Sequence, residues 1–414
     1  MIRGAYKDSD IGPIPSTWEL QAVDEIKSVG KSLISGPFGS NISSRFFVSS
    51  GVPVIRGNNL SLDVGIRFID CGFAYITQEK ALELGTWAKK DDLVFTAVGT
   101  IGQVGILEGK QKYSEYIISN KQLRLTVDSY KLLPRFAYYW FTSPFMQENI
   151  ISQNTGSSVP LINLGILRAL PVPIPPLPEQ KAIAAVLSSL DDKIDLLHRQ
   201  NATLEAMAEA LFSRLFIAAA SGKNLSAITE WISFNPKRSI AKGYIAPYLE
   251  MSNVNTTTFH PSDIAYKEFS SGMQFLNGDT LLARITPCLE NGKTCYVTFL
   301  ENEQVGWGST EYIVMRSNAS LHPFFSYCLA KTDDFRGYAE NCLTGSSGRQ
   351  RVDAEHLKQY EIVSPTEQSI EEFNDLATSI VPKLHNNFVQ IRTLEKLRDT
   401  LLPKFMSGEV RVEC

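Results

Sequence analysis

The 414-residue chain has no run of apolar residues long enough to cross a membrane, and its first ten residues, MIRGAYKDSD, contain no apolar signal core. Its six cysteines are scattered, five of them in the second half, and no two form a Cys-x-x-Cys pair. This pattern is typical of free thiols in a reducing compartment and not of a disulfide framework. We therefore expect a cytoplasmic protein that makes no contact with a membrane.

The sequence also lacks an excess of charge of either sign. Lysine and arginine together number 40 against 44 aspartate and glutamate residues, so the formal net charge is −4. A protein that coats nucleic acid by charge alone needs a strong positive balance. If the chain binds DNA, its specificity must come from the local placement of side chains, and much of the non-specific attraction must come from a partner.

Motifs of common catalytic sites are missing as well. The chain contains no GxxxxGK[ST] phosphate loop, no GxGxxG dinucleotide loop, no GxSxG nucleophile turn and no HxH or HExxH metal pattern. Asn235-Pro236 is followed by Lys237 and Arg238 instead of the Pro-aromatic pair of an amino-methyltransferase site. We therefore predict a non-catalytic chain that binds no cofactor and no metal.

The chain does have a long stretch of helical periodicity, residues 179–216, that contains neither glycine nor proline. Apolar residues recur there in alternating steps of four and three, which predicts a heptad seam along one helix. At 1.5 Å per residue such a helix spans roughly 55–60 Å, so it needs a partner helix along its seam. The seam positions are Ile183, Leu187, Leu190, Ile194, Leu197, Asn201, Leu204, Ala208, Leu211 and Leu215.

A second stretch with the same periodicity covers residues 367–402. Pro382 lies inside it and removes one backbone hydrogen bond, so we expect the helix to be kinked or broken about one third of the way along. Each seam contains one asparagine, either as a register device with a polar partner or as a solvated position near a frayed seam. The second seam comprises Ile370, Phe373, Ala377, Ile380, Leu384, Asn387, Ile391, Leu394, Arg398 and Leu401.

The two helical stretches belong to an internal repeat. The tetrapeptide TGSS occurs at 155–158 and again at 344–347. The first copy begins 24 residues before the first helical stretch, and the second copy begins 23 residues before the second. The order of globular unit, long helix, globular unit, long helix suggests pseudo-two-fold symmetry, with antiparallel helices that hold the globular units at opposite ends. The predicted boundaries are 1–175 for the first domain, 176–218 for the first helix, 219–364 for the second domain and 365–414 for the second helix.

Inside each globular unit, short β-rich runs such as 92–98 and 279–285 alternate with turn signals. Aromatic patches with helical spacing follow at 134–150 and 322–339. Each unit of about 150 residues is large enough for its own core. The predicted fold class is therefore α+β, with two globular domains separated by two long antiparallel coiled-coil helices.

Several loops collect glycine, serine, asparagine and arginine at matched places in the two units. Hydroxyl and backbone N–H groups suit phosphate contacts, and arginine, asparagine and glutamine side chains suit base edges in the major groove. A loop of this composition can also be an ordinary turn, and both interpretations stay open. The loops are 35–45, 55–59, 155–158, 234–239 and 344–351.

Segments distributed over the whole chain resemble the specificity subunits of type I restriction–modification systems. They are 12–20 (GPIPSTWEL), 35–42 (SGPFGSNI), 99–106 (GTIGQVGI), 176–187 (PLPEQKAIAAVL), 283–293 (ARITPCLENGK), the two TGSS words and 405–409 (FMSGE). The resemblance implies two target recognition domains, each reading one half of a bipartite asymmetric target in double-stranded DNA, and long helices that set the gap between the halves. It also implies methyltransferase subunits, two in number, docked on these helices, and a restriction or translocase subunit held through them. Catalysis would then belong to the methyltransferase.

The loops and the resemblance together give a set of residues expected to contact DNA. A coiled-coil scaffold that organises other proteins without touching DNA is the alternative, favoured by the near-neutral charge and opposed by the duplicated loops. The residues are Ser35, Arg45, Arg56, Asn58, Asn59, Thr155, Ser157 and Ser158 in the first unit, and Lys237, Arg238, Arg284, Thr344, Ser346, Ser347, Arg349, Gln350 and Arg351 in the second.

Overall fold

The structure of the protein, a computed structural model, describes residues 6–156, 158–217, 224–256, 258–301, 303–318, 320–346 and 348–412. They form two compact units: unit 1 is Met1–Asp195 with Thr393–Cys414, and unit 2 is Leu196–Arg392. Each long helix contributes one part to each unit. The four-part division at residues 175, 218 and 364 stays a prediction.

The strands of unit 1 are β1 (Tyr6–Lys7), β2 (Ile14–Pro15), β3 (Glu19–Ala22), β4 (Leu33–Ser35), β5 (Val52–Ile55), β6 (Ala74–Ile76), β7 (Trp87–Lys89), β8 (Asp92–Thr96), β9 (Val104–Ile106), β10 (Glu115–Ile118), β11 (Gln122–Thr126) and β12 (Pro171–Ile174). One sheet has the order β6-β5-β10-β7 and contains a parallel pair, in which Ile117 lies opposite Val54. A second, antiparallel sheet has the order β4-β11-β8-β9, and β1-β2 and β12-β3 form strand pairs.

The strands of unit 2 are β13 (Leu225–Ala227), β14 (Ile232–Phe234), β15 (Ile245–Leu249), β16 (Ala265–Glu268), β17 (Met273–Phe275), β18 (Thr280–Ala283), β19 (Thr294–Tyr296), β20 (Gly306–Gly308), β21 (Tyr312–Ser317) and β22 (Glu361–Val363). They repeat the topology of unit 1, with sheets β16-β15-β20-β17 and β14-β21-β18-β19. The parallel pair also recurs, with Tyr248 opposite Trp307. The matching strand orders confirm the α+β class and the internal repeat.

The helices are α1 (Val23–Ile26), α2 (Gln78–Leu84), α3 (Pro134–Thr142), α4 (Pro144–Ser152), α5 (Leu164–Ala169), α6 (Leu177–Phe212), α7 (Phe324–Lys331), α8 (Asp333–Asn341), α9 (Ala354–Leu357) and α10 (Glu367–Met406). Each aromatic patch forms two short helices because a hydroxyl side chain caps the second one. Ser143 accepts a hydrogen bond from the Met146 N–H, and Thr332 accepts one from the Phe335 N–H.

The second long helix, α10, continues through Pro382 as one 40-residue helix, so the expectation of a break there is wrong. Proline removes a single backbone hydrogen bond. Pro382 lies on the exposed face, where water can satisfy the freed carbonyl, while the neighbouring seam residues Ile380 and Leu384 are buried. Packing along the seam therefore maintains the helix across the proline.

The two long helices pair in antiparallel directions within each unit. In unit 2 the Phe212 and Phe373 ring centroids are 5.8 Å apart, and further along Asn387 Nδ2 donates to Asn201 Oδ1 at 2.8 Å. This hydrogen bond is the polar partner that an asparagine in a seam requires, and both side chains are half-buried. Of the two interpretations of the seam asparagines, the structure favours the register device.

The buried stripe on the helices follows the predicted seam at most positions and moves one residue later at three positions of α6. Ile194, Leu197, Ile380, Leu384 and Ile391 are buried. By contrast, Leu190, Leu204, Leu211 and Leu394 are half-buried, and their neighbours Asp191, Glu205 and Phe212 take the buried positions. Near these positions the helices pack against domain cores as well as each other, and a straight helix with 3.6 residues per turn then departs from a strict heptad.

Asp191 of α6 is the centre of a buried ionic network in unit 1. Its carboxylate accepts a hydrogen bond from the Tyr139 hydroxyl at 2.5 Å and from Arg398 of α10 at 3.3 Å, and lies 3.5 Å from Arg67 Nη2. Burial raises the pKa of the Asp191 carboxyl, although the tyrosine and both arginines oppose the shift. The network joins both helices, α3 and the segment after β5 at one point.

Glu205 of α6 connects the long helix to the domain in unit 2. It accepts hydrogen bonds from the Tyr327 hydroxyl of α7 at 2.7 Å and from the Phe259 N–H at 3.3 Å. Burial raises the pKa of the Glu205 carboxyl to about 7, against the opposing hydrogen bond from Tyr327. A carboxyl group that takes up its proton near pH 7, and not near 4.5, therefore connects the second domain to the helix.

We predict that Glu205 makes the stability of the protein depend on pH. A folded-state pKa of about 7, raised from 4.5, favours the folded state below pH 4.5 and loses that contribution as the pH rises through 7. The full difference is on the order of 3 kcal/mol. Glu205→Gln keeps an acceptor for Tyr327 but cannot ionise. Urea unfolding at pH 5 and pH 8 should therefore show a smaller pH difference for the variant than for wild type.

The matched control for this measurement is Glu371→Gln on the exposed face of α10. It should keep the wild-type difference between pH 5 and pH 8. An unchanged pH difference in Glu205→Gln would show that Glu205 does not titrate as the buried geometry requires.

Candidate nucleic-acid interface

Unit 1 contains a polar cleft of about 550 Å³. Its polar side chains lie in the segments that follow three strands: Arg56 and Asn58 follow β5, Gln103 follows β8, and Lys121 follows β10. Because β5 and β10 are parallel neighbours, their carboxyl ends meet at the same edge of the sheet. The unit 1 cleft is defined here by Arg56, Asn58, Thr96, Gln103, Asn120 and Lys121.

Two of the three predicted DNA-contacting residues after β5 face the cleft, and the third does not. Asn58 is exposed, with Nδ2 3.1 Å from the Gly72 carbonyl. Asn59 is fully buried, and its amide donates to the Ile69 and Cys71 carbonyls at 3.0 and 2.8 Å and accepts from the Arg56 N–H at 3.0 Å. Asn59 is thus a structural residue that fixes the turn, and the expectation that it contacts DNA is wrong.

Gln103, Asn120 and Lys121 were absent from the set predicted from sequence. Asn120 and Lys121 are exposed in the turn between β10 and β11. Gln103 is half-buried and oriented by two hydrogen bonds, from Thr96 Oγ1 to its Oε1 at 2.8 Å and from its Nε2 to the Leu60 carbonyl at 3.0 Å. The glycine-rich segment GTIGQVGI pointed to the loop that contains Gln103. The turn at 120–121 gave no such indication, because only strand pairing brings it beside Gln103.

The other predicted residues of unit 1 lie around this cleft or farther along the same loops. Ser35 is exposed at the end of β4, and exposed Arg45 lies over the Phe46 ring at 4.6 Å. Thr155 and Ser158 are exposed, and the Thr155 hydroxyl donates to the Leu161 carbonyl at 3.2 Å. The Gly99 N–H donates to the Pro160 carbonyl at 2.9 Å, which places this loop beside the cleft. Ser157 lies outside the described residues.

Unit 2 brings the segments 284–286 and 344–351 together. Arg351 pairs by β-bridges with Thr344 and Ile285, and Gln350 exchanges hydrogen bonds with Thr286. Ser346 and Arg349 are exposed on this cluster. The unit 2 loop cluster is defined by these residues: Arg284, Thr286, Thr344, Ser346, Arg349, Gln350 and Arg351. Ser347 lies outside the described residues.

Two arginines predicted to contact DNA are engaged within unit 2. Arg351 forms a bidentate ion pair with Glu311, with Nη2–Oε1 and Nε–Oε2 distances of 2.7 and 3.0 Å. The Arg238 side chain is mostly buried 3.7 Å from the fully buried Asp279. Both guanidinium groups neutralise carboxylates of the fold, and a contact of these two arginines with DNA stays a prediction. Lys237, next to Arg238, is exposed.

Matching positions of the two units carry opposite charges. The turn after β5 begins with Arg56, whereas the turn after the matching strand β15 begins with Glu250. The residue before β11 is Lys121, whereas Glu311 precedes the matching strand β21. The same topology therefore presents a cationic edge in unit 1 and an edge in unit 2 where Arg351 compensates Glu311.

Features of a metal or membrane protein are not found in the described part of the chain. No group of three or more histidine, cysteine, aspartate or glutamate side chains is arranged to hold a metal ion among the described residues. No described helix is long and apolar enough to cross a membrane.

The fold is similar to that of a solved protein. The crystal structure of a type I restriction–modification system S subunit from M. genitalium superposes with a TM-score of 0.58 at 16% identity, covering 94% of this chain and 96% of the other. Two units of repeated topology and two long helices thus form a fold that this chain shares with that S subunit.

The sequence is similar to a known domain and to curated specificity subunits. Residues 46–206 match the type I restriction modification DNA specificity domain. The MjaIX specificity subunit of Methanocaldococcus jannaschii is 25% identical, with 99% of this chain and 97% of the relative covered. The HindI specificity subunit of Haemophilus influenzae is 21% identical, with 91% and 98% covered. Over nearly its whole length the chain is therefore similar to type I restriction enzyme specificity subunits.

We predict opposite consequences for the neighbouring residues Asn58 and Asn59. Asn59→Ala leaves buried backbone groups without partners and should destabilise unit 1 by about 1–3 kcal/mol. Asn58→Ala removes an exposed side chain, so its unfolding free energy should change by less than about 0.5 kcal/mol while DNA recognition changes. Urea unfolding and DNA binding by the assembled complex measure the two effects. A larger loss of stability in Asn58→Ala than in Asn59→Ala would contradict this assignment.

Proposed function

We propose that this chain is the DNA-reading subunit of a type I restriction–modification complex. Each unit reads one half of a bipartite, asymmetric target in double-stranded DNA. The chain performs no catalysis and holds no cofactor, and it works in the cytoplasm. Two methyltransferase subunits dock on its long helices, and a restriction or translocase subunit is held through them.

The observation that carries this proposal is the duplicated topology with a polar surface in each copy. In unit 1 the carboxyl ends of β5 and β10 present arginine, asparagine and lysine, and the turn between β8 and β9 adds a glutamine to the same cleft. These side chains suit phosphate contacts and base edges. In unit 2 exposed Arg349, Ser346 and Lys237 offer the same chemistry. Different residues on one topology suit two different half-sites. The near-neutral net charge, which favours the scaffold alternative, is compatible with recognition by individually placed side chains.

Methylation mapping tests the proposal directly. Co-expression of this chain with its neighbouring methyltransferase in a host without such systems should place N6-methyladenine in one bipartite motif with an unspecified gap. The methyltransferase expressed without this chain is the control and should leave the motif unmodified. An active complex that methylates a continuous motif, or no defined motif, would contradict the proposal.

Arg349 gives a second, residue-level prediction. If its exposed guanidinium reads a guanine, Arg349→Ala should relax one position in one half-site, with about 1–3 kcal/mol of discrimination lost, and leave the other half-site unchanged. Arg351→Ala is the comparison, because it removes the partner of Glu311 and should destabilise unit 2 instead. Methylation of every target position at wild-type levels by Arg349→Ala would show that Arg349 reads no base.

A further inference from the structure

An exposed aromatic residue lies at the tip of the loop after β4. Phe38 is 90% exposed, within the segment SGPFGSN at 35–41. Water contacts nearly the whole ring, which is an unfavourable position for a large apolar side chain unless a partner covers it. Single exposed apolar residues are common on proteins, so exposure alone assigns no role to Phe38.

The loop is held against the unit 1 cleft. The Gly36 N–H donates to the Gln122 carbonyl at 2.9 Å, and Asn120 Nδ2 lies 3.5 Å from the Gly39 carbonyl. A Cβ atom at Gly36 would lie 1.7 Å from the Ser119 carbonyl oxygen, so only glycine allows this approach. The turn at 119–122, which lines the cleft, is therefore the support on which the loop rests.

The loop also presents Phe38 in a fixed position. Pro37 is buried and has a restricted φ angle, and the Asn41 N–H donates to the Phe38 carbonyl at 3.1 Å, closing a turn around the aromatic residue. A ring whose backbone is already ordered loses less entropy on insertion into a partner than a ring on a flexible loop. Phe38 differs from an incidental exposed residue because its backbone is held in place and it lies beside a cationic cleft.

We propose that Phe38 inserts as a wedge between adjacent base pairs, or against an unstacked base, of the half-site that the unit 1 cleft reads. Apolar wedges of this type unstack a base step and kink the duplex, and easily deformed steps make the insertion less costly. Phe38 thereby contributes to sequence selection through DNA deformability, at a position where no hydrogen bond is made. This inference rests on the proposed function, since it requires that unit 1 binds duplex DNA.

The test uses the complex of the full chain with its methyltransferase subunits, bound to duplexes that carry its methylated target. 2-Aminopurine replaces one base at a time in the half-site whose recognition Asn58→Ala changes. Wild-type complex should raise the fluorescence at one step other than the methylated adenine, because unstacking relieves quenching. Phe38→Ala should abolish this rise, and Phe38→Leu should retain part of it, since leucine is also found as a wedge.

Binding affinity provides the second measurement. Loss of one stacking contact should weaken DNA binding by Phe38→Ala about tenfold at every salt concentration, with an unchanged slope of log affinity against log salt. Lys121→Ala, which removes a charge from the same cleft, should instead lower that slope by about 1. Tyr130→Ala is the matched control, because Tyr130 is 89% exposed on the turn between β11 and α3, and it should behave as wild type.

The outcomes separate this inference from the proposed function. A wild-type complex without a methylated bipartite target contradicts the proposed function. A complex that methylates its target, with equal fluorescence and affinity for wild type and Phe38→Ala, overturns the wedge alone. Release of the methyltransferase subunits by Phe38→Ala, with the fluorescence of any DNA-bound complex unchanged, also overturns it and assigns Phe38 to a protein contact.

Discussion

The buried carboxylate of Asp191 is the constraint on which unit 1 depends. A charge removed from water costs several kcal/mol unless good partners surround it, so its position requires Tyr139, Arg67 and Arg398 to stay in place. Arg67 in turn contacts Glu108 at 3.2 Å and the Ser188 carbonyl at 3.2 Å. One buried carboxyl group on α6 thereby fixes the second helix, the aromatic helix α3 and the segment after β5.

This constraint extends to the cleft through the backbone. Arg67 begins the segment whose Ile69 and Cys71 carbonyls accept the amide of Asn59. Asn59 closes the turn that displays Arg56 and Asn58 in the unit 1 cleft. The seam of the long helix and the candidate DNA-reading side chains therefore belong to one continuous set of polar contacts. In unit 2, Glu205 connects domain and helix through hydrogen bonds from Tyr327 and the Phe259 N–H.

The sequence predicted the helices and strands whose positions are determined by local periodicity. The heptad steps located α6 and α10, and the β-rich runs located the central strands β8 and β18, because burial of one face imposes these periods on the sequence. The predictions that failed or stay open depend on which hydrogen-bond or ion-pair partner a side chain has in the folded protein. Whether Asn59 or Arg351 faces solvent depends on carbonyls and carboxylates supplied by other segments, here Ile69 and Glu311. Lys121 was missed because the pairing of β10 with β5, and not sequence proximity, brings it near Arg56.

The two units differ in charge because they share one duplicated topology but have different residues at the ends of matching strands. Arg56 and Lys121 make the edge of unit 1 cationic, so attraction to phosphates contributes there. At the same positions unit 2 has Glu250 and Glu311, and Arg351 is held by the second of these. In the proposed function, unit 2 would depend more on individually exposed side chains such as Arg349 and Lys237 than on the charge of a cleft. The two copies keep one topology because their cores and helix contacts require it, whereas the strand ends are free to differ, and this freedom allows one chain to read an asymmetric target.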